Sequence, residues 1–150
     1  MHLAGPDGSF DLTLVGYQFP HLASAPWDSN WLQVRVAVQH RRGSWTATDP
    51  CLLTYEVAGL ADWLEALASG SAADPEQSFL EPCLRFEVQE GPRGQLVLQA
   101  CFEHELRPPW AQDLEDENAS LTLLTEPDVL RAAAADLRGQ LAKYPQRTER

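Results

Sequence analysis

The chain has 150 residues, of which 44% are hydrophobic and 22% are charged, and its formal net charge is −11. These values are typical of one domain, residues 1–150, with its own hydrophobic core, and no apolar run approaches the roughly 20 residues of a membrane-spanning helix. The acidic excess lies in residues 51–130, which hold sixteen Asp or Glu against three Arg, so that binding to nucleic acid or to an anionic membrane is not expected.

Alternation of apolar and polar residues predicts β-strands along most of the chain. In chain order, the predicted strands are centred on Phe10 to Leu14, Leu32 to Val38, Leu84 to Val88 and, as the longest, Gln95 to Leu106. Arg41-Arg42-Gly43 and residues 90–94 resemble hairpin turns between such strands. Connections this short favour antiparallel pairing.

Helical spacing replaces this alternation in two segments. Leu60, Trp63, Leu64 and Leu67 follow a helical period, which predicts a helix from Gly59 to Gly70. A cap at Thr125-Glu126-Pro127-Asp128 and an apolar stripe that ends at Leu141 predict a second helix, closed by Pro145. The predicted fold class is therefore α+β, with an antiparallel sheet of about six to seven strands and two helices packed on its apolar side.

The N-terminal sequence and the cysteines both favour the cytoplasm. The first twelve residues lack the basic start and the apolar stretch of a secretory signal. Cys51, Cys83 and Cys101 are odd in number, widely spaced and set in apolar segments, which predicts buried thiols rather than disulfides or a zinc site.

The titratable residues predict no catalytic site, no metal site and no cofactor. There is no G-x-S-x-G nucleophile motif and no pair of histidines at metal-binding spacing. Alternation places His104 on the apolar side of its strand with Phe102 and Leu106, as a half-buried histidine without an adjacent nucleophile. A small hydrolase or sugar-binding protein that uses Glu87, Glu103 and His104 is the weakest of the functional alternatives.

Three glutamates, Glu87, Glu103 and Glu105, are expected on one polar sheet face, where Arg85 and Arg35 lie near if their strands are neighbours in a hairpin. Acidic residues on such a face are usually solvated or paired with arginine. The acidic segment from Asp113 to Glu117 lacks the central glycine and the final glutamate of an EF-hand calcium loop.

An ordered set of aromatic and polar motifs extends over roughly residues 16 to 88. The motifs are Asp28-Ser29-Asn30-Trp31-Leu32, Trp45, Leu52-Leu53-Thr54-Tyr55-Glu56, Trp63-Leu64 and Phe79-Leu80-Glu81-Pro82-Cys83-Leu84. As a set, they resemble the WapI-like immunity proteins, which are small cytosolic bacterial proteins.

The resemblance implies a non-enzymatic protein that binds and neutralises the nuclease toxin domain of a secreted or contact-dependent toxin. A nuclease is expected to present a basic cleft, to which an acidic protein would be complementary. The residues predicted to contact such a partner are Glu87, Glu103, Glu105, Asp113, Glu115, Asp116 and Glu117. A self-associating module, forming a homodimer through a sheet edge or through Trp27 and Trp110, is the alternative.

The motif residues themselves are predicted to maintain the fold; they are Trp27, Asp28, Asn30, Trp31, Trp45, Trp63, Glu81 and Pro82. In this interpretation Trp27 and Trp31 seal the entry to a strand, Trp31 covers one sheet face, and Leu32 enters the core. Asp28 and Asn30 are expected to hydrogen-bond the backbone of the turn between the two tryptophans.

Overall fold

The structure, a computed structural model, describes residues 1–23, 27–111 and 120–148. These residues form eight β-strands and two α-helices, which are, in chain order, β1 (His2–Gly5), β2 (Gly8–Tyr17), β3 (Trp31–His40), β4 (Gly43–Leu53), α1 (Thr54–Ala68), β5 (Glu76–Gln77), β6 (Leu84–Glu90), β7 (Leu96–Phe102), β8 (Ser120–Thr125) and α2 (Pro127–Leu141). The predicted α+β class is confirmed. None of the described helices is long and apolar enough to span a bilayer.

The described strands form two four-stranded antiparallel sheets, slightly more strands than the six to seven predicted. The first sheet has the order β1-β2-β3-β4 and the second has the order β5-β6-β7-β8. In the first sheet His40 lies opposite Gly43, and in the second Glu90 lies opposite Leu96, so both predicted hairpin turns are confirmed.

Strand β7 is shorter than the sequence predicted. It ends at Phe102, because His104 adopts a positive φ of 49° and begins a 3-10 turn over His104–Leu106. The longest strand is instead β4, with 11 residues. The prediction that His104 would be half-buried is wrong, since the turn leaves its side chain exposed.

Helix α1 begins at Thr54 rather than at Gly59. The Glu56 carboxylate accepts a hydrogen bond from the backbone N–H of Leu53 at 2.9 Å, which caps the first turn. Val57 is fully buried and extends the apolar stripe toward the first residue of the helix, Thr54. Helix α2 spans Pro127–Leu141, as the proline in its first turn predicted.

The two sheets and both helices share one hydrophobic core. Phe10 on β2 packs against Phe86 and Phe102 of the second sheet, with ring centroids 6.0 and 5.5 Å apart. The sheets also approach closely at Gly5, where an added Cβ would lie 2.7 Å from the Cα of Leu123. Trp63 on α1 also packs into this core, and its ring centroid lies 6.3 Å from that of Phe86.

The N-terminal ammonium group of Met1 is buried and pairs with Asp136 on helix α2. The Met1 amine donates to the Leu12 carbonyl at 2.8 Å and lies 2.5 Å from the Asp136 carboxylate. The hydrogen bond from this ammonium, helped by Gln140, lowers the pKa of Asp136 below its ordinary value. The carboxylate therefore stabilises the fold above its unfolded-state pKa, and this stabilisation is lost as the pH falls through its lower folded-state pKa.

We expect Asp136→Asn to lower the free energy of unfolding by about 1–2 kcal/mol at pH 7, because a buried ammonium loses its charged partner while water screens the half-exposed carboxylate. Urea denaturation at pH 7 and at decreasing acidic pH measures the effect. The difference in free energy of unfolding between the variant and the original chain should shrink as the pH falls and Asp136 becomes protonated.

Asp128→Asn is the matched control on the same helix. Asp128 is 96% exposed and pairs with the surface residue Arg131, so its loss should change the free energy of unfolding by about 0.5 kcal/mol or less. Equal losses in the two variants would contradict a specific role for the Met1 to Asp136 pair.

Candidate partner-binding site

A cavity of about 390 Å³ opens where β3 and β4 meet the turn that follows β7. Four of its described lining residues are acidic and none is basic; the lining residues are Gln18, Phe19, Asp28, Trp31, Asp49, Pro50, Glu81 and Glu105. We call this cavity the acidic recess. Its surface therefore carries concentrated negative charge beside two aromatic side chains.

The acidic side chains reach the recess from separate parts of the chain. Trp31, the first residue of β3, pairs with Leu53 at the end of β4, and Asp49 lies on β4 just before the point where the register with β3 shifts. Such irregularities redirect side chains at the ends of strands. Glu105 belongs to the 3-10 turn after β7, and Glu81 precedes β6.

Mutual repulsion and burial act on the acids of the recess. Asp49 is half-buried, and desolvation, followed by the charges of Glu105 and Glu81, raises its pKa. Glu105 is exposed, and hydrogen bonds from its own backbone N–H and from the Cys83 thiol lower its pKa. Burial and the negative charges of Glu105 and Glu81 therefore disfavour ionisation of Asp49, and a cation placed beside Asp49 would favour it.

Cys83 lies beneath these carboxylates. It is 1% exposed, and its Sγ lies 3.3 Å from Oε2 of Glu105 and 3.9 Å from Oδ2 of Asp49. Burial, then the hydrogen bond with Glu105, raises the pKa of Cys83 to about 12. The thiol is therefore protonated at neutral pH and is a poor nucleophile.

Exposed apolar side chains border the recess; we call Phe19, Trp27, Tyr55 and Leu80 the apolar rim. Trp27 and Leu80 are each 67% exposed, and the Trp27 ring stands edge-on to Tyr55 at 6.3 Å between centroids. Phe19 lines the recess, Trp27 and Leu80 are next in sequence to the lining residues Asp28 and Glu81, and Tyr55 contacts Trp27. Exposed aromatic groups beside charged residues are typical of protein-binding surfaces.

The residues predicted to contact a partner fall into three groups. Glu105 lines the recess. Glu87 and Glu103 are both paired with Arg85, which confirms the expected proximity of this arginine and leaves their carboxylates partly neutralised. Asp113, Glu115, Asp116 and Glu117 lie outside the described residues.

The tryptophans predicted to be structural differ in their burial. Trp45 and Trp63 are buried, and their indole N–H groups donate to the carbonyls of Leu106 at 3.0 Å and Asp74 at 2.8 Å. Trp31 is half-buried while Leu32 is fully buried, as the alternation predicted. Trp27 is mostly exposed, so the prediction that it seals the strand entry is wrong.

Of the other motif residues predicted to be structural, three are exposed and one, Asn30, is buried. Asp28, Glu81 and Pro82 are exposed, and the first two line the recess. Asn30 is 1% exposed, and its side-chain amide hydrogen-bonds both backbone groups of Arg147 rather than serving the turn alone. The amide therefore anchors the C-terminal segment, which the sequence did not predict.

Asp49 and Cys83 were missed as site residues. Both belong to a tripeptide in which an acidic residue, a proline and a cysteine follow one another: Asp49-Pro50-Cys51 and Glu81-Pro82-Cys83. This repeated tripeptide is the sequence signal that marks the recess, since residues of both copies meet there.

The model of the Immunity protein WapI-like family matches residues 2–145. The chain belongs to this family. No curated protein and no solved structure matches it. The WapI-like match extends the resemblance from the central motifs to nearly the whole chain, and the motif residues Asp28, Trp31 and Glu81 of this immunity-family protein all line the acidic recess.

Proposed function

We propose that this chain is a non-enzymatic immunity protein that binds and neutralises a basic nuclease toxin domain in the cytoplasm. The observation that carries the proposal is the acidic recess, whose described lining holds four carboxylates and no basic residue, beside the exposed Trp27. Family membership supports the immunity role. The nuclease character of the partner rests on charge complementarity.

The chemistry of the surface fits a partner that presents arginine or lysine. A nuclease binds phosphates through basic side chains, so an acidic protein can occupy the same cleft. The recess would take a basic side chain between Asp49 and Glu81, while Trp31 offers an aromatic face to the cation. Trp27 and Tyr55 would supply the apolar contact area on which tight binding usually depends.

Self-association through the apolar rim is less compatible with the charges. A twofold dimer places the same surface patch of each copy face to face. The acidic recess lies beside the rim, so dimerisation would bring two sets of carboxylates together and would be opposed by repulsion. We therefore propose that the rim binds a different, basic protein, and sedimentation at decreasing concentration should show a monomer.

The test begins with the genes beside the one that encodes this chain, where a large secreted toxin is expected. Its C-terminal domain, made inactive by mutation, is titrated with the immunity protein by calorimetry. We expect Trp27→Ala to weaken binding at least ten-fold, because central tryptophans dominate such interfaces. We expect Asp49→Asn combined with Glu81→Gln to weaken it to a similar extent and to reduce its salt dependence.

Two variants serve as matched controls for charge and for apolar area. Asp62→Asn removes a carboxylate that Arg138 already pairs, and Val129→Ala removes an exposed apolar side chain on α2, outside the rim. Each should change the affinity less than about three-fold. No binding to the toxin domain would overturn the proposed function, and equal losses in control and recess variants would overturn the proposed surface.

A further inference from the structure

Three side chains with metal-binding atoms converge below the acidic recess. An Asp49 oxygen, the Cys83 sulfur and a Glu105 oxygen all lie within 4.8 Å of one another. They come from β4, from the residue before β6 and from the turn after β7, so the cluster joins the first sheet to the second. Their separation in sequence explains why no ligand spacing was visible in the chain.

The sulfur–oxygen distances within this cluster are close to those around a zinc ion. Zinc holds thiolate sulfur at about 2.3 Å and carboxylate oxygen at about 2.0 Å, and in tetrahedral geometry these lengths place the sulfur and the oxygen about 3.5 Å apart. The observed distances from Sγ of Cys83 to the carboxylate oxygens are 3.3 and 3.9 Å. These two distances lie close to the expected value, and the third pair of donor atoms, the oxygens of Asp49 and Glu105, lies within 4.8 Å.

We propose that Asp49, Cys83 and Glu105 form a zinc-binding site at the floor of the acidic recess. The sulfur donor favours Zn²⁺ over Mg²⁺ and Ca²⁺, which prefer oxygen ligands alone. Three protein ligands leave a fourth position for water on the side of the cavity that opens to solvent. The zinc site does not require the toxin partner, but it uses Asp49, the carboxylate that the proposed function assigns to a basic side chain, so the two cations would compete there.

The surroundings of the cluster favour a cation in place of the thiol proton. Two carboxylates bring negative charge beside Cys83, whose Sγ lies 3.3 Å from Oε2 of Glu105 and 3.9 Å from Oδ2 of Asp49. When the ion binds, the thiol proton is released to solvent and sulfur, as thiolate, becomes a ligand. The ion offsets the negative charges of the two carboxylates and of the new thiolate, which stabilises an arrangement that is otherwise repulsive.

Cobalt(II) is the probe for this site, because it replaces zinc and reports sulfur ligation by an intense near-ultraviolet charge-transfer band. We expect one Co²⁺ per chain with this band, displacement of Co²⁺ by an equivalent of Zn²⁺, and release of a proton on binding. Cys83→Ser should abolish the band, and Asp49→Asn or Glu105→Gln should weaken Co²⁺ binding at least ten-fold.

Cys101→Ser is the matched control. Cys101 is also a free, buried cysteine influenced by three glutamates, but the positive charge of Arg85 lies beside it. This variant should keep the charge-transfer band and the affinity for Co²⁺. Glu105 is exposed, so Glu105→Gln is expected to stay folded and tests the site even if Cys83→Ser does not fold. The absence of the band, its persistence in Cys83→Ser, or its loss in Cys101→Ser would overturn the proposal.

Discussion

Replacement of Phe86 by alanine is expected to lower the free energy of unfolding by about 3–5 kcal/mol, the range for loss of a fully buried aromatic side chain. Phe86 on β6 has no exposed surface. Its ring centroid lies 6.0 Å from that of Phe10, 6.3 Å from that of Trp63 and 6.4 Å from that of Phe79. The truncation would therefore leave a cavity where both sheets and α1 meet, and urea denaturation measures the loss.

Phe19→Ala is the matched control for this variant. The residue type is the same, but the Phe19 side chain is 43% exposed on the apolar rim, so its truncation should lower the free energy of unfolding by about 1 kcal/mol or less. Comparable losses in the two variants would show that Phe86 does not hold the two sheets together.

The long strands were predictable because each has one buried face. In β3, Leu32, Val34, Val36 and Val38 are fully buried and alternate with more exposed residues, so the period of two was already visible in the sequence. The short strands β1 and β5, with four and two residues, lack enough alternation to be recognised. Their existence depends on pairing with β2 and β6, which is a tertiary effect.

The division into two sheets could not be derived from alternation. The pattern shows that a strand has a buried face but does not show which layer covers it. Phe10 and Phe86 carry equivalent patterns, yet they belong to different sheets and pack against each other. The end of β7 was also hidden, since a positive φ is uncommon even for histidine, and residue type therefore did not predict the turn at His104.

The candidate site was only partly visible in the sequence. Glu87 and Glu103 were correctly expected near Arg85, because Glu87 follows Arg85 by two residues on the same face of β6 and Glu103 comes directly after the neighbouring strand β7. The acidic recess was not foreseen, since its residues come from loops and strand ends whose convergence depends on how the two sheets pack. The exposure of Trp27 was not foreseen either, because an aromatic residue in the sequence can lie in the core or on the surface.

The second large effect is expected at Asn30, a buried amide that links three distant segments. Its Nδ2 donates to the Arg147 carbonyl at 2.8 Å, and its Oδ1 accepts from the Arg147 backbone N–H at 2.8 Å and from the Thr54 hydroxyl at 2.9 Å. Asn30→Ala would leave the buried Thr54 hydroxyl without this acceptor and release the C-terminal segment. We expect the free energy of unfolding to fall by about 2–4 kcal/mol in urea denaturation.

A double-mutant cycle with Arg147→Ala tests whether this loss is due to the C-terminal anchor. The Arg147 guanidinium lies 3.5 Å from the centre of the Tyr17 ring and donates to the carbonyls of Phe19, Pro20 and Leu22 at 2.9 to 3.1 Å. Both residues therefore fix the same segment against the chain beside the acidic recess. Once Asn30→Ala has released that segment, Arg147→Ala should have little further effect, and the combined loss should be smaller than the sum of the single losses. Strictly additive losses would instead mean that Asn30 stabilises the start of β3 independently of the C-terminal segment.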